Sequence, residues 1–392
     1  MTSQTIAGAD PDRVRLGILG LGAVAQAVHL PLLARLSSLF EIAAVADLSA
    51  AVANAIGERY AVPSDRRHRS LDALLGTPGL DALIILTSGS HGPAILAGFE
   101  AGLAVFAEKP VAYTLAEADA IAARMSGDAR LRLQVGYMKL YDPAVVRARQ
   151  TAAEGFGPPR AIEVTVLHPT SESQLAHARL LPPPNDIPTG VRAALVAHVD
   201  GLRAIALGTE AAGAIGRLYT DILLGSIVHE LALVRAFSGD PVAIDDAVMW
   251  PATTWPPSIR FSGRLPDDGH VSVAWHYLPE YPAYREEVRV IYGAASSELS
   301  FPSPYLLNRP TILRTAVADG DARRDMVWTS TVEAFEEELL AFHALVTDGR
   351  APAAGLLEGR ADIVTCQRIA AALARSAGVA IGGEAVGIGP TQ

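Results

Sequence analysis

Short apolar runs alternate with segments of helical spacing over the first 135 positions of the chain. Residues 14–19 (VRLGIL) form an apolar run closed by glycine, which reads as a buried parallel strand. Similar runs predict strands over 40–46, 82–86, 104–107 and 131–135. Between them, apolar positions recur at helical spacing over 23–36, 49–60, 92–101 and 115–125, with Ser49 a candidate N-cap. Strands that alternate with helices specify a parallel sheet covered on both faces. The pattern changes after about residue 140. A strand is expected over 161–167, followed by an irregular stretch over 174–188 that contains Pro182, Pro183 and Pro184. Helices are expected over 193–207 and 219–238. Several alternating or aromatic-rich runs lie between 243 and 300, for example 270–275 and 287–292, and predict a mostly antiparallel sheet. Helices over 331–348 and 361–376 follow. The expected architecture is α/β: a doubly wound parallel sheet over residues 1–137, then an α+β domain over 138–392 with a large, mostly antiparallel open sheet. The default site is the cleft between them.

The first strand runs into Gly20-Leu-Gly22-Ala-Val-Ala25, which matches the G-x-G-x-x-G/A fingerprint of a Rossmann domain. Gly20 permits the tight turn, Gly22 lets backbone approach a pyrophosphate, and Ala25 allows close helix–strand packing. Ala23 and Val24 open the helix whose N-terminal amides face the phosphates. Asp47 ends the second strand, 22 residues after Ala25, where a carboxylate hydrogen-bonds the adenosine ribose and repels a 2′-phosphate. Leu48 and Ser49 follow it, with no arginine directly after, which favours NAD over NADP.

Composition narrows the classes. The chain has 392 residues, half of them apolar and 19% charged, with a formal net charge of −10. That is a globular composition, long enough for two domains. An acidic chain without Lys/Arg clusters lacks the footprint of nucleic-acid or anionic-lipid binding. The single cysteine, Cys366, excludes an internal disulfide and a cysteine-rich zinc site, and it fits a reducing, cytoplasmic setting. Met1 to Arg13 shows no apolar signal core. The most apolar stretch, 16–36, is interrupted by three glycines, His29, Pro31 and Arg35, and makes a poor membrane span.

Ala107-Glu108-Lys109-Pro110 after the strand at 104–107, Thr87-Ser-Gly-Ser-His91 after the strand at 82–86, His29-Leu-Pro31 and the glycine loop together resemble the Gfo/Idh/MocA oxidoreductases. The resemblance continues through Gly136 to Pro143, His229 to Arg235 and Phe335 to Phe342. It implies an NAD(P)-dependent dehydrogenase or reductase acting on CH–OH groups of a sugar, polyol or related small molecule. Lys109 is then the catalytic-site lysine and His229 the proton-transferring residue. Thr87, His91, Glu108, Lys109 and Pro110 line the cofactor, and Tyr137 and Lys139, at the inter-domain junction, join Lys109 and His229 as substrate contacts. A homodimer or homotetramer is implied. The chemistry stands without the family: a histidine titrating near neutrality suits loss of a hydroxyl proton as hydride leaves the same carbon, and a lysine stabilises the oxygen.

The chain departs from the family at Gly225. Many members carry an aspartate there, four residues before the histidine. The histidine works without it, the substrate is not a simple polyol, or catalysis is lost; the last leaves a non-catalytic dinucleotide-binding regulator or scaffold. A redox-neutral lyase or hydrolase using transient oxidation is a third possibility. Other features read blandly. Apart from the resemblance, Lys139 reads as a solvated lysine, and His91 as a residue that either caps the helix at 92 or touches the cofactor. His168, His177 and His198 match no compact ligand spacing, so no metal is expected. Trp275 and Tyr277 read as sheet packing, Cys366 as a core thiol, and Glu333, Glu336, Glu337 and Glu338 as a solvated helix face. The stretch 168–190 is expected to cover the substrate cleft.

Overall fold

A computed structural model describes residues 13–251 and 253–388. Apart from Arg13, the segment read for a signal core lies outside the described residues. Six parallel strands form the first sheet: β1 (Val14–Leu19), β2 (Phe40–Ala46), β3 (Arg67–His68), β4 (Ala82–Ile85), β5 (Ala104–Glu108) and β6 (Leu133–Gly136), in the order β3-β2-β1-β4-β5-β6. That is the doubly wound order, with β1 and β4 flanking the switch point where dinucleotides bind. Leu16 and Ile18 of β1 are fully buried, as a strand covered on both faces requires. The helices start where the sequence signals them. Ser49 Oγ accepts from Val52 N at 3.1 Å ahead of helix Ala50–Arg59. Thr114 and Glu117 form a reciprocal capping box on helix Leu115–Ser126. β3 and helix Leu71–Leu75 have two and five residues, too few to show a period, and the pattern did not predict them.

Two of the predicted helices are not regular. The helix expected over 23–36 holds a π segment, Ala25–His29, before Leu30–Arg35. The helix expected over 219–238 holds a longer one, Tyr219–Ile227, before Val228–Ser238. A π turn takes an extra residue and so rotates everything after it relative to an α-helix.

The second sheet has eight strands: β7 (Ala161–His168), β8 (Ala243–Trp250), β9 (Ser258–Arg264), β10 (His270–Tyr277), β11 (Arg285–Ile291), β12 (Ala295–Phe301), β13 (Ile312–Asp319) and β14 (Ala322–Thr329). Their order is β14-β13-β12-β11-β7-β10-β9-β8. Only β7 and β10 pair in parallel; the other neighbours are antiparallel. Alternate residues (Ile162, Val164 and Val166; Val271, Val273 and Trp275; Val288 and Val290) face the core. The β13–β14 hairpin was not expected. β14 is exposed almost throughout, so it carries no apolar alternation to read.

Helix Ala334–Asp348, late in the chain, packs on the first sheet. Phe335, Leu339, Phe342 and Leu345 share one core with Leu16, Ile18, Phe40 and Phe106. Gln134 Nε2 donates to the Glu338 carbonyl at 2.9 Å, and Arg132 Nη1 to that of Leu345 at 2.9 Å. The acidic run on this helix is therefore not one solvated face. Glu333 caps the helix, whereas the Glu338 side chain is fully buried and its carboxyl is pushed well up by burial and by the nearby Glu108. Among the described residues no helix is long and apolar enough to cross a membrane. Cys366 is buried within helix Leu356–Ala377.

Candidate active site

The glycine loop is shaped by what lies against it. Gly20 has φ +89°, and a Cβ there would lie 2.7 Å from Thr87 N, so only glycine fits between β1 and the loop after β4. A Cβ on Gly22 would meet nothing within 4 Å: its free side opens on the cleft. Asp47 stands at the tip of β2. Its Oδ2 accepts from Leu21 N of the glycine loop at 3.0 Å, and its Oδ1 from Ser49 N at 2.9 Å. An open glycine at a helix N-terminus beside an anchored carboxylate fits a dinucleotide. The cleft above these residues encloses about 540 Å³ and is lined by Gly22, Ala23, Val24, Thr87, Glu108, Lys109 and Pro110, with His229 opposite.

A second compartment of about 340 Å³ continues from it toward the antiparallel sheet. His168, Gln174, Trp275, Tyr277 and Tyr284 line it, and Lys109, Met138, Gly225 and His229 line both compartments. Lys109 and His229 thus stand at the doorway between the open glycine loop and an aromatic, polar chamber. Lys109 Nζ donates to the Gly225 carbonyl. Burial lowers the Lys109 pKa, against the pull of Glu108 and Glu230. Burial, then the positive charges of Lys109 and Lys139, holds His229 well below the usual imidazole range, so the ring is neutral. Its Nδ1 is buried with no protein partner.

The neighbouring candidates have different surroundings. Glu108 Oε1 lies 2.8 Å from Nε2 of the fully buried His29, and that contact lowers its pKa despite burial. His29, noticed in the sequence only as part of a tripeptide, thereby fixes the carboxylate beside Lys109; its place at the end of the first π segment was not readable from spacing. The Lys109–Pro110 bond is cis. Three expectations are corrected. His91 is buried at the N-cap position of its helix, but its side chain neither lines the cleft nor makes a capping bond; its Nε2 bonds the Thr87 carbonyl at 2.8 Å and pins that loop. Tyr137 is buried away from the cleft, with its hydroxyl on Asp362, which also pairs with Arg235. Lys139 is not solvated. Its Nζ lies 3.0 Å from Glu230 Oε1 and 2.6 Å from Glu286 Oε1, all three side chains being buried, so it borders the chamber with its ammonium already engaged.

Residues set aside in the sequence do reach the chamber. The His168 ring lies 5.2 Å from that of Trp275, and Trp275 stacks parallel to Tyr277 at 6.2 Å. Trp275 Nε1 donates to Ser226 Oγ at 3.1 Å. Tyr284 donates to Glu286 Oε2 at 2.6 Å. Alternation places Trp275 and Tyr277 on one face of β10; that this face also walls a cleft follows from the helix packed against it. His177 Nε2 lies 3.0 Å from the Tyr305 carbonyl, and His198 is exposed on helix Thr189–Leu207. Asp221 also lines the cleft, but Arg203 and Arg217 hold its carboxylate at 3.1 and 3.3 Å.

Residues 14–137 match the family model described as an oxidoreductase family with an NAD-binding Rossmann fold, Gfo/Idh/MocA. An inositol 2-dehydrogenase of Saccharopolyspora erythraea is 32% identical over 163 residues, which cover 40% of this chain and 46% of that protein. One from Paracoccus denitrificans is 29% identical over 157 residues, again 40% and 46%. The chain spans about half the length of the curated relatives it matches. Over nearly the whole fold, it is similar to the aldose–aldose oxidoreductase of Caulobacter crescentus (TM-score 0.69, 20% identity, 93% of this chain and 98% of that one). It is likewise similar to the UDP-N-acetylglucosamine 3-dehydrogenase of Acidithiobacillus ferrooxidans (TM-score 0.67, 22% identity, 92% and 98%). Residues 14–137 thus match the NAD-binding Rossmann domain of the Gfo/Idh/MocA oxidoreductases, and the remainder of the chain shares their overall fold.

Proposed function

We propose that this protein is an NAD-dependent dehydrogenase or reductase that moves a hydride between nicotinamide and a hydroxyl-bearing or keto carbon of a sugar, polyol or related small molecule. One observation carries the reading: Lys109 and His229 line both the cleft above the glycine loop and the chamber beside it. Residues 1–137 act as the cofactor domain and 138–392 as the substrate and assembly domain, in a cytoplasmic homodimer or homotetramer. Bound in the cleft, the nicotinamide supplies the hydride acceptor or donor.

The chain supplies the rest. Gly22, Ala23 and Val24 receive the pyrophosphate, and Asp47 receives the ribose and favours NAD over NADP. Thr87, Glu108 and Pro110 border the nicotinamide end. The Lys109 ammonium orients and polarises the substrate oxygen. His229, neutral at working pH, takes the hydroxyl proton in oxidation and returns it in reduction. Trp275, Tyr277 and His168 present ring faces and edges to C–H and hydroxyl groups, a surface suited to a carbohydrate. The curated relatives named above are inositol dehydrogenases, which supports a cyclitol or sugar. Gly225 raises the reading without turnover. Its carbonyl nevertheless holds Lys109 in the doorway, so the lysine keeps an anchor without the aspartate.

The test is a screen of cyclitols and aldoses with NAD, followed by Lys109→Ala on the best substrate. The variant should lose about 100-fold or more in kcat/KM, with an NADH dissociation constant, read by nicotinamide fluorescence, within about twofold of wild type. Wild-type turnover in that variant would remove Lys109 from the reaction.

A further inference from the structure

The irregular stretch before helix Thr189–Leu207 does more than border the chamber. Leu181 N donates to Gln26 Oε1 at 2.8 Å, and Gln26 Nε2 donates to the Leu21 carbonyl of the glycine loop at 2.7 Å. Five residues later, Asp186 Oδ2 accepts from Ala51 N at 3.0 Å, in the first turn of helix Ala50–Arg59. Residues 181–186 therefore run as a strap from the glycine loop to the helix that follows Asp47. Three consecutive prolines, with ring-fixed φ, stiffen the span. Arg192 Nη2 ties its middle, donating to the Pro184 carbonyl at 2.9 Å. The Ser49 hydroxyl, then the Ala51 amide, hold the Asp186 carboxyl below the ordinary aspartate range.

The two anchor points bracket the adenosine end of the cleft. A carboxylate at the tip of β2 meets the ribose 2′-hydroxyl, and Asp47 also accepts from Ser49 N, two residues before Ala51. A 2′-phosphate would need donors at this place. The structure offers them: the first amides of a ten-residue helix, and Arg69, which β3 brings alongside so that its Nη2 donates to the Leu48 carbonyl at 3.3 Å. The sequence shows no arginine directly after Asp47, but the fold supplies Arg69 from just beyond β3. What stands against a phosphate here is a second carboxylate.

We propose that Asp186, delivered by the proline strap, is a cofactor-selecting residue: it occupies the amides at the start of helix Ala50–Arg59 and refuses the 2′-phosphate of NADP by occupancy and by charge. This rests on the NAD-dependent reading above.

The experiment titrates wild type, Asp186→Asn and Asp186→Ala with NADH and with NADPH, read by nicotinamide fluorescence, alongside thermal unfolding without nucleotide. Two charges a few ångströms apart near a surface repel strongly enough that their removal should tighten NADPH binding about tenfold or more. The NADH dissociation constant should stay within about twofold. Unchanged NADPH affinity in both variants, or equal loss of both nucleotides with a lowered unfolding temperature, would make Asp186 a helix cap only and overturn the proposal. Those outcomes leave the NAD reading intact as long as wild type binds NADH. If wild type binds neither nucleotide, or prefers NADPH, the NAD reading itself fails, and the role of Asp186 falls with it.

Discussion

Gly225 is the residue on which the chemistry of the doorway turns. It offers no side chain to the doorway, and its carbonyl accepts from Lys109. A Cβ there meets only the Thr220 carbonyl, at 3.4 Å, so a side chain is sterically admissible. Lys109 and His229 both have lowered pKa values, with burial the largest cause. A carboxylate in Gly225→Asp favours the charged form of each and raises both. Burial holds His229 well below the usual imidazole range, so if it transfers the proton as proposed, its acid limb in kcat/KM lies below that range. In Gly225→Asp that limb should move to higher pH. A pH–rate profile measures it, and an unmoved limb would take His229 out of proton transfer.

At the scale of elements, Lys139 clamps three of them. It belongs to the 3₁₀ turn Met138–Tyr141, Glu230 to helix Val228–Ser238, and Glu286 to β11. Burial raises the Glu230 carboxyl to about 7, against the attraction of Lys139. The clamp holds the turn that begins at Met138, the helix carrying His229, and the strand that follows Tyr284 in one register. Lys139→Met leaves two buried carboxylates unpaired and should cost about 3–5 kcal/mol near neutral pH. The sign with pH follows from proton binding. Without the ammonium the folded Glu230 carboxyl rises further above the ordinary value of 4.5, so the folded state binds more protons than the unfolded one. The loss should therefore be small near pH 5 and grow toward about pH 8, as urea unfolding at the two pH values would read. The π segments act at the same scale. One ends at His29, which holds Glu108, and the other contains Gly225, which holds Lys109. Both set groups that hold cleft residues, from helices whose sequence reads as regular.

At the scale of the whole molecule, the two sheets do not divide cleanly along the chain. Helix Ala334–Asp348 completes the core of the first sheet with Phe335, Leu339, Phe342 and Leu345. A fragment of residues 1–137 loses that cover and exposes the facing apolar surface. Four large side chains leave about 6–12 kcal/mol of burial unmade, comparable to the entire stability of a domain. The fragment should therefore unfold well below the full chain, or aggregate, in a thermal melt followed by circular dichroism. Adding helix 334–348 in trans should raise its midpoint. A fragment as stable as the intact chain would show that the packing contributes little.

The sequence by itself determined the strand–helix order of the first sheet, its glycine turn and acidic partner, the E-K-P loop and the change to a second sheet. Each is written locally, in a period, a cap or a short motif. Tertiary structure decided what lies between elements distant in the chain: the burial of Lys139 between two carboxylates, the chamber wall of His168 and Trp275, Gly225 standing in as anchor, and Asp186 reaching the helix after Asp47. Such contacts join residues up to 147 positions apart. No periodicity reports them, because a side chain's neighbours across a cleft leave its own flanking sequence unchanged.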